Sequence, residues 1–299
     1  MLPVPVGTLK LSAPAKINLF LAVTGARGDG YHDLLSVAAK LTLADTLAVD
    51  PADGGFTLEC DTADIPVDGT NLVLKAAGAF AAATGWKGGA RFRLEKRIPF
   101  GAGLGGASSD AVCALRALNT LSGGLLDEAG LARVAAAVGS DCPLFLKDGP
   151  IVMRGRGEQV ESLPKEAYAR FRGMRILLFK PGFPIPTPWA YGRLAAEAPR
   201  SYVPRAEAEA MLAGWLTAKG APVDRLLFNS MERAAFSKYA ALPQVIGELR
   251  ERFQLLPRMS GSGSACFAIL NEDAPFGPLE SHLRGALGQG AFVVETRLA

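Results

Sequence analysis

The sequence predicts an α+β protein of two domains. Helix-like runs follow one another instead of alternating singly with strands, and the last segments return to a strand–helix–strand pattern. The length of 299 residues is long for one compact core and comfortable for two. A hydrophobic content of 49% against 20% charged residues supplies ample core material and excludes a disordered chain. The formal net charge of +3 is too small to argue for nucleic acid or a membrane surface as partner.

Taken in order, Thr8–Ser12 and Ile17–Val23 read as strands, with Pro14 breaking the ladder between them and Lys16 at a strand entrance. A loop with three glycines, Thr24 to Asp33, then presents Tyr31 and His32. Further strands are Leu34–Leu43, Thr46–Val49 and Phe56–Cys60, punctuated by Ala44-Asp45 and by Pro51 to Gly55. A helix over Asn71–Ala83 is capped by Asp68 or Thr70 and ended by Gly85. Ala90–Glu95 alternates Phe92 and Leu94 against Arg91, Arg93 and Glu95, the pattern of a half-exposed strand.

Ala111, Ala114, Leu115, Leu118 and Leu121 fall at helical spacing, and Leu125–Val138 makes a second helix stopping at Gly139. Ser140-Asp141-Cys142-Pro143 follows, then a strand at Ile151–Met153 and a domain boundary near residue 160. The second domain opens with the buried-type strand Arg175–Lys180 and a stiff proline-rich loop, Pro181 to Pro188. Helices are expected over Trp189–Ala196, Glu207–Ala218, Asn229–Tyr239, Gln244–Phe253 and Leu279–Leu287. A glycine-serine loop, Ser260 to Ser264, leads into the strand Ala265–Leu270, and Phe292–Thr296 is the last strand.

Cys60, Cys113, Cys142 and Cys266 lie far apart with no C-x-x-C pair, which suggests buried reduced thiols, not zinc or redox chemistry. Met1–Lys10 lacks the pattern of a leader, and a cytoplasmic protein is expected.

Between the strand ending at Glu95 and the helix beginning at Ser108 or Ser109 lies Pro99-Phe100-Gly101-Ala102-Gly103-Leu104-Gly105-Gly106-Ala107-Ser108-Ser109-Asp110. So many residues without a Cβ let backbone N–H groups point at an anion at the positive end of the helix dipole, and phosphate is the expected guest. A tight packing turn is the plain alternative, favoured for a single glycine pair but not for four glycines and two serines. Gly101-x-Gly103-x-x-Gly106 also satisfies the dinucleotide fingerprint, but Lys96-Arg97-Ile98-Pro99 intervenes after the strand and the helix leads to another helix. No G-K-[ST] ends the loop, so it is not a Walker A sequence.

The stretch Pro99 to Ser109 resembles the phosphate loop of the GHMP kinases, which act on galactose, homoserine, mevalonate and phosphomevalonate. Within that superfamily, Ser12-Ala13-Pro14-Ala15-Lys16-Ile17-Asn18-Leu19 and Gly28-Asp29-Gly30-Tyr31-His32 are similar to the branch that phosphorylates 4-diphosphocytidyl-2-C-methyl-D-erythritol. So are Gly139 to Pro143, Pro184 to Pro188 and Met259 to Gly263, in the same order along the chain. The resemblance implies an N-terminal ribosomal-protein-S5-like domain, a C-terminal ferredoxin-like domain and an active site in the cleft between them. It implies ATP-dependent phosphorylation of the 2-hydroxyl of that substrate, with Mg²⁺, in the non-mevalonate route to isoprenoid precursors.

On this resemblance Asp141 is the candidate base and Lys16 the cation that keeps it ionised and stabilises developing charge. Without the resemblance, Asp141 reads as a turn former or cap and Lys16 as a solvated strand end. Asn18 alternates onto the face of Lys16 and reaches the substrate polyol. Tyr31 stacks on cytosine, His32 hydrogen-bonds its edge, Tyr191 supplies the opposite stacking face and Thr187 a hydroxyl. Ser108 and Ser109 cap their helix while facing phosphate. Related kinases hold Mg²⁺ with a loop serine and a separate glutamate, and no counterpart of that glutamate is evident. Two other readings share these residues. Another kinase of the superfamily lacks a use for Tyr31-His32, and a binding protein without transfer activity lacks one for Lys16 with Asp141.

Overall fold

The structure, a computed structural model, describes residues 7–299, so most of the segment read for a leader, Met1–Lys10, lies outside the described residues. The first half of the chain contains β1 (Leu9–Ala26), β2 (His32–Ala52), β3 (Phe56–Cys60), α1 (Leu72–Thr84), β4 (Gly89–Glu95), α2 (Gly106–Leu121), α3 (Glu128–Val138) and α4 (Cys142–Leu146). Next come β5 (Ile151–Arg154), β6 (Gln159–Ser162), α5 (Lys165–Tyr168), β7 (Arg175–Lys180), α6 (Thr187–Ala196) and α7 (Arg205–Thr217). A 3-10 turn at Val223–Leu226 leads to β8 (Phe228–Asn229), α8 (Met231–Phe236), α9 (Ala241–Phe253), β9 (Arg258–Met259), β10 (Cys266–Leu270), α10 (Phe276–Leu287) and β11 (Phe292–Arg297). No helix among the described residues is long and apolar enough to cross a membrane.

Two compact units form, and neither is one stretch of chain. The first comprises the described part of Met1–Ala15 with Leu43–Phe100 and Gly105–Asp148; the second comprises Lys16–Thr42, Gly101–Leu104 and Gly149–Ala299. This division differs from a single cut near residue 160. Lys16–Ala26 of β1 and His32–Thr42 of β2 belong to the second unit, and the remainder of each strand belongs to the first.

In the first unit, β4 pairs antiparallel with Thr46–Ala52 of β2 and parallel with β3. Its alternation is as expected: Ala90, Phe92 and Leu94 are buried and Arg91, Arg93 and Glu95 exposed. Helix α2 is buried almost all round, from Ala111 to Leu115 and at Ala117 and Leu118, because its small residues admit close neighbours on several faces. Asn71, not Asp68 or Thr70, caps α1: its Oδ1 accepts from Val73 N–H at 2.9 Å, while Asp68 is occupied by Thr70. Gly85 ends α1 in the left-handed conformation, φ 71°. Asp127 caps α3, which starts at Glu128 and leaves Leu125 exposed before it.

In the second unit, an antiparallel sheet orders its strands β11-β7-β10-β9. Ile176 to Phe179 of β7 are fully buried, so this central strand reads as a continuous apolar run. Its core takes in Phe179, Leu242, Leu249, Met259 and Leu283, with α6, α8, α9 and α10 contributing. Burial of each large side chain there is worth roughly 1.5–3 kcal/mol. Elsewhere in this unit β8 runs parallel to β1 at Phe20 and Leu21, and β5 pairs with β2 and β6.

The expected break at Pro14 does not occur. Lys16 and Asn18 turn their N–H groups to Leu104 and Ser260, and β1's neighbour β8 pairs only Phe20 and Leu21. By the two-residue period Pro14 points its nitrogen to that same side, where no ladder partner among the described residues needs an N–H. Prolines misplace three helix starts for a related reason. Helices α6, α9 and α10 begin at Thr187, Ala241 and Phe276, before Pro188, Pro243 and Pro278, because the first turn needs no N–H from them. The helix expected from Asn229 begins at Met231 and ends at Phe236, with Asn229 in β8. Of the four free thiols three are buried, while Cys60 is only half-buried, which corrects the expectation for that residue.

Candidate active site

In the second unit the segment Gly101–Leu104 is stitched between a strand and a second glycine loop. Lys16 N–H donates to the Leu104 carbonyl at 2.9 Å and Ala265 N–H to that of Ala102 at 3.1 Å. Ser260 Oγ donates to the Gly103 carbonyl at 3.0 Å and accepts from Asn18 N–H at 3.3 Å. Gly103 has φ 77°, and a Cβ there would lie well inside 3.0 Å of the Ser260 carbonyl oxygen. Only glycine fits such a backbone at such a distance.

The Ser260–Ser264 loop is thus a structural clamp on the first loop, which sequence reasoning left open. Asn229, missed in the sequence, anchors that clamp: its Nδ2 donates to the carbonyls of Met259 and Gly261 at 2.7 and 2.9 Å.

Lys16 and Asn18 are buried on one face of β1, as their alternation predicts, and Lys16 Nζ donates to Asn18 Oδ1 at 2.7 Å. Asn18 Nδ2 donates to Ser36 Oγ at 2.8 Å, and Ser36 to the Phe20 carbonyl at 2.7 Å. The chain of bonds fixes the amide's orientation and so presents its oxygen to the ammonium.

Tyr31 is half exposed, 51%, and the Arg156 guanidinium lies over its ring at 5.0 Å. Tyr191 packs instead on His32, at 4.9 Å between ring centroids, and Tyr202 approaches the same imidazole at 5.9 Å. Burial lowers the His32 pKa, which keeps the ring neutral at neutral pH. Thr187 Oγ1 lies 2.8 Å from Ser262 Oγ.

In the first unit, α2 begins at Gly106, two residues before Ser108. Its cap is Gly105, φ 71°, with no side-chain cap bond, so Ser108 and Ser109 occupy the first turn and do not cap it. Sequence reasoning missed this because serine is the commoner cap and a left-handed glycine carries no polar signature. The first N–H groups of the helix therefore lack a side-chain acceptor. Pro99, Phe100 and Ala107 border this start, with Phe100 and Ala107 exposed. Asp141 stands at the N-cap position of α4 in αR conformation, half-buried, and its side chain does not cap that helix. Next to it, burial pushes the Cys142 thiol up to about 11, against a hydrogen bond to Ser108 that lowers it. Asp141 and Ser108–Ser109 belong to the first unit, Lys16, Asn18, Tyr31, His32, Thr187 and Tyr191 to the second.

A charged cluster beside the helix start was not legible as such. Lys96 Nζ donates to both Asp45 and Asp110, the latter at 2.8 Å, with the lysine side chain 8% exposed and the carboxylates 0% and 3%. Burial disfavours the ammonium, but Asp110 and Asp45 together outweigh it and hold the lysine above its ordinary pKa. Burial pushes Asp110 up to about 7, with Lys96 opposing and Asp45 reinforcing.

A raised carboxylate pKa means stability that is complete below the unfolded value and is lost as pH rises through the folded one. Asp110→Asn, which carries no charge to bury, is therefore expected to raise the urea midpoint at pH 8 and to bring a shrinking gain as pH falls towards 4. A gain that grows with acidity contradicts this account.

Residues 71–149, which hold α1, the Gly105–Ser109 helix start and Asp141, match the family model described as GHMP kinases N terminal domain. The chain is 38% identical over 287 residues to the 4-diphosphocytidyl-2-C-methyl-D-erythritol kinase of Methylacidiphilum infernorum (isolate V4), covering 94% of this chain and 93% of that one. It belongs to the 4-diphosphocytidyl-2-C-methyl-D-erythritol kinase family. A crystal structure of a 4-(cytidine 5'-diphospho)-2C-methyl-D-erythritol kinase superposes with a TM-score of 0.73 at 34% identity, over 97% of this chain and 100% of that one. Homoserine kinase from Cytophaga hutchinsonii, at 16% identity, superposes with a TM-score of 0.72 over 100% of this chain and 97% of its own. That likeness shows the fold alone. The α+β GHMP kinase fold read from the sequence is the fold of this 4-diphosphocytidyl-2-C-methyl-D-erythritol kinase family member, and the chain is a kinase.

Proposed function

We propose that the protein transfers the γ-phosphoryl group of ATP to the 2-hydroxyl of 4-diphosphocytidyl-2-C-methyl-D-erythritol, the substrate named in its relatives. The observation that carries this reading is 38% identity over nearly the whole chain to a kinase of that name.

The triphosphate lies along Pro99 to Ser109, against N–H groups of the α2 start that no side chain caps. Asp141 accepts the proton of the attacking hydroxyl. The new P–O bond forms as the bond from the γ-phosphorus to the bridging oxygen breaks, and ADP leaves. Lys16, oriented by Asn18, stabilises the charge that spreads over the transferring group. Tyr31 stacks on the cytosine, neutral His32 bonds its edge, and Tyr191 and Thr187 bound the same end of the substrate.

Among the described residues no three His, Cys, Asp or Glu side chains converge as a metal site. Mg²⁺ is taken as part of the substrate, arriving on the phosphates of ATP, as is usual for an ion held by few protein ligands. The protein acts in the cytoplasm.

The test is a coupled ADP-release assay with the cytidylated methylerythritol, mevalonate, galactose and homoserine as separate acceptors. Turnover is expected with the first. Turnover of any of the other three without it overturns the assignment.

A further inference from the structure

Phe92 and Leu94 of β4 point inward, and Lys96, just past the end of that strand, is buried too, its side chain 8% exposed. Its ammonium is buried between two carboxylates that anchor different parts of the chain. Asp45 uses its second oxygen to accept from Arg97 N–H at 2.6 Å and Ile98 N–H at 2.8 Å, which fixes the backbone running into the glycine loop. Asp110 stands in α2, one residue beyond Ser109.

Lys96 is the strut between them, and its Nζ also lies 3.4 Å from where a Cβ on Gly106 would stand. Gly106 is the first residue of α2, and Ile98 presses on the same point at 3.1 Å. Burying such a triad is weak evidence for stability, since well-packed apolar residues usually serve as well or better. What an apolar cluster lacks is direction: the two hydrogen bonds from one ammonium fix α2 relative to the run-in segment in rotation and in depth.

We propose that Lys96 is a positioning residue for nucleotide binding, aiming the uncapped N–H groups of the α2 first turn at the triphosphate by bridging Asp45 and Asp110. The inference rests on the loop's reading as an ATP cradle, not on the identity of the acceptor.

Lys96→Met alone would leave two buried carboxylates facing each other, so the informative variant is Lys96→Met with Asp110→Asn. In it Asp45 keeps both backbone donors. The reference is Asp110→Asn alone, whose side-chain oxygen still accepts from Lys96. Equilibrium binding of MgATP without acceptor is measured first, then KM for each substrate and kcat. The double variant is expected to bind ATP at least tenfold more weakly than the single one and to show a matching rise in the KM for ATP. KM for the acceptor and kcat at saturating ATP should stay within about threefold of the single variant.

Equal ATP affinity in the two variants overturns the proposal, as does a loss shared equally between both substrates. If the double variant gives no cooperative melt, Lys96→Leu with Asp45→Asn and Asp110→Asn replaces it, read against Asp45→Asn with Asp110→Asn, and the same two outcomes decide. The binding measurement needs no acceptor, so failure of the substrate assignment leaves this test intact.

Discussion

Asp141→Asn is expected to lower kcat by about 10²–10⁴-fold while ATP binding stays within about threefold of the unaltered protein. The substitution is isosteric, and the side chain contributes no cap bond to α4. The carboxylate's place is set by the backbone: Cys142 and Pro143 beside it are both buried, and Pro143 sits in the first turn of α4. An amide in the same place can accept a hydrogen bond from the hydroxyl but cannot take its proton at neutral pH. If the proton moves only in the transition state, kcat and kcat/KM fall together while the KM for the acceptor changes little. A coupled ADP-release assay with parallel ATP titrations separates the two quantities. Near-normal turnover would remove Asp141 as base.

Gly103→Ala is the substitution expected to damage stability and binding together. The left-handed backbone at φ 77° costs an L-residue about 1–2 kcal/mol, and the new Cβ would press on the Ser260 carbonyl oxygen. Ser260 cannot yield, because it is fully buried and its hydroxyl is bonded to both Gly103 and Asn18. A loss of about 2–4 kcal/mol in urea unfolding is expected, with ATP binding weakened more than tenfold. Gly101→Ala is the internal control: its φ of 61° carries the same backbone strain, yet the nearest atom to its Cβ is Pro184 Cβ at 3.6 Å, an ordinary contact. Equal losses at the two positions would show that backbone strain alone, and not the clamp from Ser260, governs the loop.

Much of the molecule was legible residue by residue. The alternation of Phe92 and Leu94 with Arg91 and Arg93 gave β4 its inward face, the continuous run Ile176 to Phe179 gave a strand buried on both sides, and Gly85 ended α1. The backbone freedom of the glycine loop was legible too, since Gly101, Gly103 and Gly105 all take positive φ. These features depend on one strand's period, one helix's face or one residue's backbone freedom, and such quantities are local.

The tertiary structure decided what depends on partners distant in the chain. Pro14 breaks nothing because no strand among the described residues needs an N–H on its side of β1, and Pro188, Pro243 and Pro278 lie inside helices because the first turn demands none. Tyr191 packs on His32 and Arg156 covers Tyr31, pairings that no spacing encodes. Asp45 looked like punctuation between strands and Lys96 like an interruption before the loop. Together with Asp110 they form a buried triad drawn from β2, the segment after β4 and α2. A sequence by itself determines which groups a residue brings and which backbone it tolerates. Which buried charge meets which, and which N–H goes without need of a partner, is settled only when residues far apart in the chain are brought within hydrogen-bond reach.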